Sequence, residues 1–281
     1  MQGLLRSALG LVVIYMMSVA YLWFDSERQN AYKQTQADQK ANQVKLRQNQ
    51  HKMQSGYLTT VFDKEGFHSD HLTKAIDSIP GRGKNSNFIW QDRAGNPFAY
   101  AAMGIDRNYY FANSYLVGYQ PYKTTKLWQP LVTLALKKTY QFDHDQHGAN
   151  WKDIWQNSKQ AYYYSHGDCE DHAILLADWL ISMGYDARVA IGKVPSGGHA
   201  WVILYYDNKE YLLEATSKRR PRSIGDFKLA KFAAEYRPEY LFNRDSFWAN
   251  TGTHLTTRYS GNHWIKTATF ILGATPAKVR H

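Results

Sequence analysis

The chain has 281 residues and a single cysteine, Cys169. One cysteine excludes an intrachain disulfide framework. It leaves the compartment open, because exported proteins also occur without disulfides. No internal repeat is visible, which excludes a solenoid or propeller. No nucleic-acid motif is present either, so nucleic acid is not an expected partner. Acidic residues are the scarcer charge, 24 against 34 Lys and Arg, for a formal net charge of +10. That balance favours acidic partners: anionic lipid or an acidic protein segment.

Charge is missing altogether from Ser7 to Phe24, a run preceded by Arg6. Its length is at the short end for a membrane span. Ser18-Val19-Ala20 would also suit signal-peptide cleavage. The apolar run continues through Tyr21–Phe24 with interfacial aromatics, which favours an uncleaved anchor over a cleaved signal segment for 1–24. Either reading exports the remainder of the chain. Residues 25–55 are rich in Gln, Lys and Asn and short of apolar residues, which predicts a solvated helix or a disordered linker. Residues 56–119 alternate turn clusters with strand patterns, "NPFAYAAMGI" and "YYFANSYLVGY" among them. They read as an accessory segment or an elaboration of the core. A helix is expected from Gln129 to Tyr140, with Pro130 in its first turn.

The chemistry concentrates in "SHGDCEDHAILLADWLISMGY", Ser165 to Tyr185. Asp168 suits the N-cap, Asp171 stands three residues on, and Gly184 suits the position after the helix. The spacing of Ala173, Leu176, Ala177, Leu180 and Ile181 predicts one apolar stripe on a helix from Cys169 to Met183. Cys169 then lies in the first turn. Free N–H groups and the helix dipole stabilise a thiolate there, while the neighbouring carboxylates oppose it.

A strand is expected over Asp186–Val194, then a loop over Pro195–Gly198 and a strand from His199 to Tyr206. Asp207-Asn208 suits a two-residue hairpin turn, with a return strand from Lys209 to Ala215. That turn sets Tyr206 opposite Lys209 and Trp201 opposite Glu214. His199 and Glu214 then share a face, one diagonal step apart. A three-residue turn would separate them. Cys169, His199 and Glu214 therefore have the makings of nucleophile, base and orienting carboxylate. The Cys169 N–H could serve an oxyanion.

"GDCEDHAILLADWL", "GGHAWVILYYDNKEYLLEAT" and the upstream "WKDIWQ" resemble the transglutaminase-like superfamily, in particular bacterial transglutaminase-like cysteine peptidases. The resemblance spans about Leu127 to Lys218. It implies an α+β fold: a papain-like core over 120–225 with the Cys-bearing helix packed on an antiparallel sheet. Residues 226–281 read as a strand-rich extension. It also implies thiol-dependent acyl transfer on a protein or peptide substrate, with Cys169 as nucleophile and His199 as base. The third member is usually Asp, and here it is Glu214. Trp155 and Gln156 match site-lining positions, with Gln156 suited to a second oxyanion donor. Trp201 packs beside the histidine in this reading. No cofactor is required. Some members are similar in carrying calcium beside the nucleophile, and Asp168, Glu170 and Asp171 are the matching positions. The alternative for Asp168 and Asp171 is helix capping alone.

Three functions fit: a peptidase, a transamidase sharing its acyl-enzyme, and a non-enzymatic assembly protein reusing the fold. "FDHDQHG" (Phe142–Gly148) lacks a zinc spacing and reads as a polar loop. "SKRRPR" (Ser217–Arg222) reads as a basic loop that could attract an acidic substrate segment. His254 and His263 read as surface or packing residues.

Overall fold

The computed structural model describes residues 53–60, 67–79, 87–150, 153–253 and 255–273. The expected anchor over 1–24, nearly all of the linker, His254 and the first two residues of "WKDIWQ" lie outside them. Among the described residues no helix is long and apolar enough to cross a membrane.

The strands, in chain order, are β1 Gly56–Thr60, β2 Phe67–His68, β3 Phe88–Gln91, β4 Pro97–Gly104, β5 Tyr109–Phe111, β6 Thr139–Tyr140, β7 Ile154–Trp155, β8 His166–Gly167, β9 Asp186–Val194, β10 Gly197–Tyr206, β11 Lys209–Leu213, β12 Lys228–Leu229, β13 Arg237–Phe242, β14 Ser246–Asn250 and β15 Trp264–Leu272. Nine of them make one antiparallel sheet in the order β12-β11-β10-β9-β13-β14-β15-β1-β2. A smaller sheet joins β3, β4 and β5, and β7 adds to β4 in parallel. Residues 56–119 are thus an elaboration woven into the same unit. Their β1 pairs with β15 in register from Gly56↔Leu272 to Thr60↔Ala268. Residues 226–273 supply β12 to β15, and β13 pairs directly with β9.

The cysteine helix runs Cys169–Ser182, with Met183 as its C-cap. Gly184 follows at φ +90°, a left-handed conformation that costs glycine nothing. The helix packs on β9 and β10, and the Ser158–Tyr163 and Gln129–Lys137 helices lie against it. The expected single stripe is too narrow. Every residue from Ala173 to Leu180 is buried, because sheet and helices cover the helix on several sides. Asp178 is buried with them, and Arg244 Nε donates to its Oδ1 at 2.6 Å.

Four local expectations need correction. The Gln129 helix ends at Lys137, and Thr139–Tyr140 instead pair with β8. "YYFANSYLVGY" is a strand only over Tyr109–Phe111, then a 3₁₀ turn over Ala112–Tyr115 that turns this buried stretch away from the sheet. β10 opens at Gly197, so the loop before it is only Pro195-Ser196. Asp143–His147, expected as loop, is a short helix whose first residue is buried. The Asp207-Asn208 turn has φ of +51° and +53°, the type I′ geometry that matches strand twist. It sets Tyr206↔Lys209 and Val202↔Leu213.

Candidate active site

Cys169 opens its helix after Asp168, whose N–H donates to Asp171 Oδ2 at 3.4 Å. On the neighbouring strand His199 is two residues into β10. The Ala200 N–H, next along the chain, faces the Cys169 sulfur and acts to lower its pKa. The cysteine helix packs on this strand, so groups thirty positions apart in sequence become neighbours.

His199 Nε2 lies 2.8 Å from Glu214 Oε2. The one-step diagonal is therefore bridged, as the two-residue turn requires. Glu214 is held from several directions. Its Oε1 accepts from Thr216 Oγ1 at 2.7 Å and from Thr216 N at 3.1 Å, and its Oε2 accepts from Tyr236 Oη at 2.9 Å. Burial pushes its carboxyl up, but the bonds from His199 and Thr216 prevail and hold it below the ordinary range. Trp201 is fully buried. Its ring stacks beside His199 at 6.0 Å, and its Nε1 donates to Tyr259 Oη at 3.0 Å. Tyr236 lies 6.1 Å from the His199 ring and 5.1 Å from that of Trp201. The imidazole thus sits in an aromatic corner with one nitrogen committed to Glu214. The other nitrogen, Nδ1, remains for a proton transfer. His172, one turn along the helix from Cys169, is buried and pushed down to about 3 by burial and by Lys138 and Lys218. Neither of its nitrogens has a hydrogen-bond partner, so it stays neutral.

The thiol itself is disfavoured as an anion. Burial and the Asp168 charge push Cys169 up to about 12, and its S–H donates to Glu170 Oε2 at 3.3 Å. The cause is a nest of carboxylates behind the helix start. Asp168, Glu170 and Asp171 are joined there by Asp143 and Asp153. Burial first, then Asp168, raises Glu170 and Asp171 well above the ordinary carboxylate range. The same causes bring Asp143 to about 8 and Asp153 to about 7. The segment before the cysteine helix locks this nest. Ile154 N–H donates to Asp143, Gln156 N–H to Asp171 Oδ1 at 2.7 Å, and Trp155 Nε1 to Asp153 Oδ1 at 2.6 Å. Asp143 Oδ1, Asp168 Oδ1 and Glu170 Oε1 are buried without a hydrogen-bond partner. Ligand oxygens of the triplets Asp143/Asp168/Asp171 and Asp143/Asp153/Glu170 lie within 4.8 Å of one another. A calcium ion bound at about 2.4 Å sets opposed oxygens about that far apart. The residues therefore fit a hard cation: several hard oxygens, three of them orphaned, and little neutralising charge.

Sequence reasoning set one of these acids aside and missed another. Asp143 sits in "FDHDQHG", which reads as a polar loop, and Asp153 sits in "WKDIWQ". The available signal was the second motif itself, where an aspartate stands directly before the apolar pair Ile154-Trp155. Trp155 is placed in the core, stacked on Tyr100 and Phe242. Gln156 is buried, and its Nε2 donates to the His166 carbonyl at 3.1 Å, leaving one N–H of the amide.

The CEP76 peptidase-like domain family matches residues 153–261. No curated protein matches the sequence. Among solved structures, calcium-bound LapG of Legionella pneumophila aligns at 18% identity over 50% of this chain and 77% of that one, with a TM-score of 0.37. The EGTA-treated form of the same protein aligns at 18% over 49% and 74%, with a TM-score of 0.36. The peptidase-like match encloses the Cys169, His199 and Glu214 motifs.

Proposed function

We propose that this protein is a thiol-dependent amide hydrolase, a cysteine peptidase acting on a protein substrate through Cys169, His199 and Glu214. The observation that carries the reading is the 2.8 Å His199–Glu214 bond on a strand that packs against the Cys169 helix. His199 Nδ1 takes the thiol proton as the sulfur attacks the substrate carbonyl carbon. Glu214 fixes the tautomer that leaves Nδ1 free to accept, and it stabilises the imidazolium. The Cys169 N–H, at a helix start, and the remaining Gln156 amide N–H receive the oxyanion. Collapse breaks the C–N bond, and His199 returns its proton to the leaving amine. Water then attacks the thioester, giving its proton to His199. The acid product departs and the thiol is restored.

Asp143, Asp153, Asp168, Glu170 and Asp171 would hold calcium. Bound there, the ion supplies positive charge that offsets the carboxylates beside the sulfur. The apolar run 7–24 supports tethering at a bacterial inner membrane with the catalytic unit exported.

The test is turnover of a protein substrate by the wild-type and Cys169→Ala chains, with product masses read with and without an added primary amine. The reading requires that Cys169→Ala abolish turnover and that products gain water. Products that gain the amine at the cleaved carbonyl would assign transamidation. Normal turnover by Cys169→Ala would remove the mechanism.

A further inference from the structure

The segment after Glu214 carries Lys218, Arg219, Arg220 and Arg222, all exposed. Pro221 divides the arginines and restricts the backbone between them. This segment lines a groove of about 690 Å³ whose floor is Leu131, Leu213 and Phe227. The groove reaches Glu214 and Tyr236, two of the residues that meet the His199 ring. On the other side Arg220, Pro221 and Arg222 border a second hollow with Lys126 and Trp128. The cationic strip therefore separates two hollows, and one of them adjoins the candidate active site.

Among the described residues no salt bridge joins Arg219, Arg220, Arg222 or Lys126 to a carboxylate. Two acids line the larger groove, and both are committed elsewhere. Asp226 Oδ2 accepts from the backbone N–H groups of Arg222, at 2.7 Å, and Ser223, at 3.1 Å. Glu214 serves His199, Thr216 and Tyr236. Lys228 is already paired with Glu235 at 2.6 Å. The guanidinium forks thus border an apolar floor without a salt-bridge partner among the described residues, and Asp226, which lines the groove, feels the charge of Arg222. Planar forks pair with carboxylates two bonds at a time.

We propose that this groove is a substrate subsite that takes an acidic peptide segment flanking the scissile amide, with Arg219, Arg220 and Arg222 as its carboxylate receptors. The inference rests on the peptidase reading for the word substrate, but the binding it describes does not need turnover. Apolar side chains of the segment lie on Leu131, Leu213 and Phe227, and its carboxylates face the arginines. Selectivity arises from charge, so it weakens with salt.

The test uses the full chain carrying Cys169→Ala, which cannot consume its ligand, and fluorescein-labelled decapeptides alternating Glu or Gln with Ala and Leu. The Glu peptide should bind about tenfold more tightly than the Gln peptide at low salt, and the preference should fall at 0.5 M NaCl. The exposed triple variant Arg219→Gln/Arg220→Gln/Arg222→Gln should lose the preference, and Arg220→Glu alone should weaken it. In the Cys169 form, these substitutions should leave the rate of thiol alkylation by iodoacetamide unchanged, which shows the site intact. Equal binding of the two peptides, or a preference that survives the triple variant, would overturn the subsite. So would binding of phosphatidylglycerol vesicles or duplex DNA through the same arginines with no preference for the Glu peptide. Failure of the peptidase reading has a different signature: normal turnover by Cys169→Ala, whatever the peptides do.

Discussion

The Cys169 thiol needs help to become a nucleophile. Its surroundings push it up to about 12, through burial first and the Asp168 charge second. Helix-start placement and the Ala200 N–H act in the opposite direction. In the proposed mechanism His199 resolves this opposition, and Glu214 holds it in place. Glu214→Gln keeps the shape but loses the charge that stabilises imidazolium. Its amide-hydrolysis kcat is expected to fall by about 10²- to 10⁴-fold. Glu214→Asp should retain more, since the carboxylate survives with a shorter reach. The same residue gives a pH prediction. Its folded carboxyl lies below the ordinary value, so its stabilising contribution is complete above its unfolded pKa, about 4.3. That contribution is lost as pH falls through the depressed folded value. Chemical denaturation of wild type and Glu214→Gln should show a stability difference that is constant above about pH 5 and shrinks below about pH 4. At this scale the pairing of His199 with Glu214 was readable. Cysteine, histidine and glutamate stood in local motifs, and a two-residue turn fixed the face. Tyr236 was not readable. It reaches Glu214 from 22 positions away, and nothing local marks it.

Among the elements, β9 is the spine of the sheet, flanked by β10 on one side and β13 on the other. Gly192 is where β13 comes closest. A Cβ there would meet the Arg237 carbonyl oxygen at 2.1 Å and the Pro238 Cα at 2.8 Å. Those are backbone atoms, so neither can swing aside. Gly192→Ala should destabilise the protein by about 1–3 kcal/mol, read from the shift in its urea midpoint. The local β9–β10–β11 meander was legible because its turns are short and its alternation regular. The partnership of β1 with β15 was not. It joins residues some 210 positions apart, and no local pattern announces so distant a pairing. The cysteine helix shows the same limit. Its stripe was visible, but its burial on several sides depends on elements that no local pattern reveals.

At the scale of the whole molecule, the carboxylate nest draws on three separate segments around residues 143, 153 and 168–171. Sequence proximity exposed only the last. Asp143 and Asp153 arrive by folding, through bonds made by the chain at Ile154 and Trp155. If calcium binds this nest, it binds the folded chain and not the unfolded one. At a hundredfold excess over Kd the stabilisation is about 2.7 kcal/mol. Differential scanning calorimetry should then show Tm rising by about 5–10 °C with calcium and falling back with EGTA. Asp143→Asn and Asp153→Asn should each reduce the shift. A Tm indifferent to calcium in the wild type would remove the ion from the account.

The central claim is that sulfur, imidazole and carboxylate act as one unit. Its most direct test is the rate at which iodoacetamide alkylates Cys169 at pH 7, followed by intact mass in wild type, His199→Ala and Glu214→Gln. The account predicts a fast wild-type reaction, a rate at least about tenfold lower in His199→Ala, and an intermediate rate in Glu214→Gln. Equal rates in all three proteins would contradict it, because the thiol would then be indifferent to its proposed base.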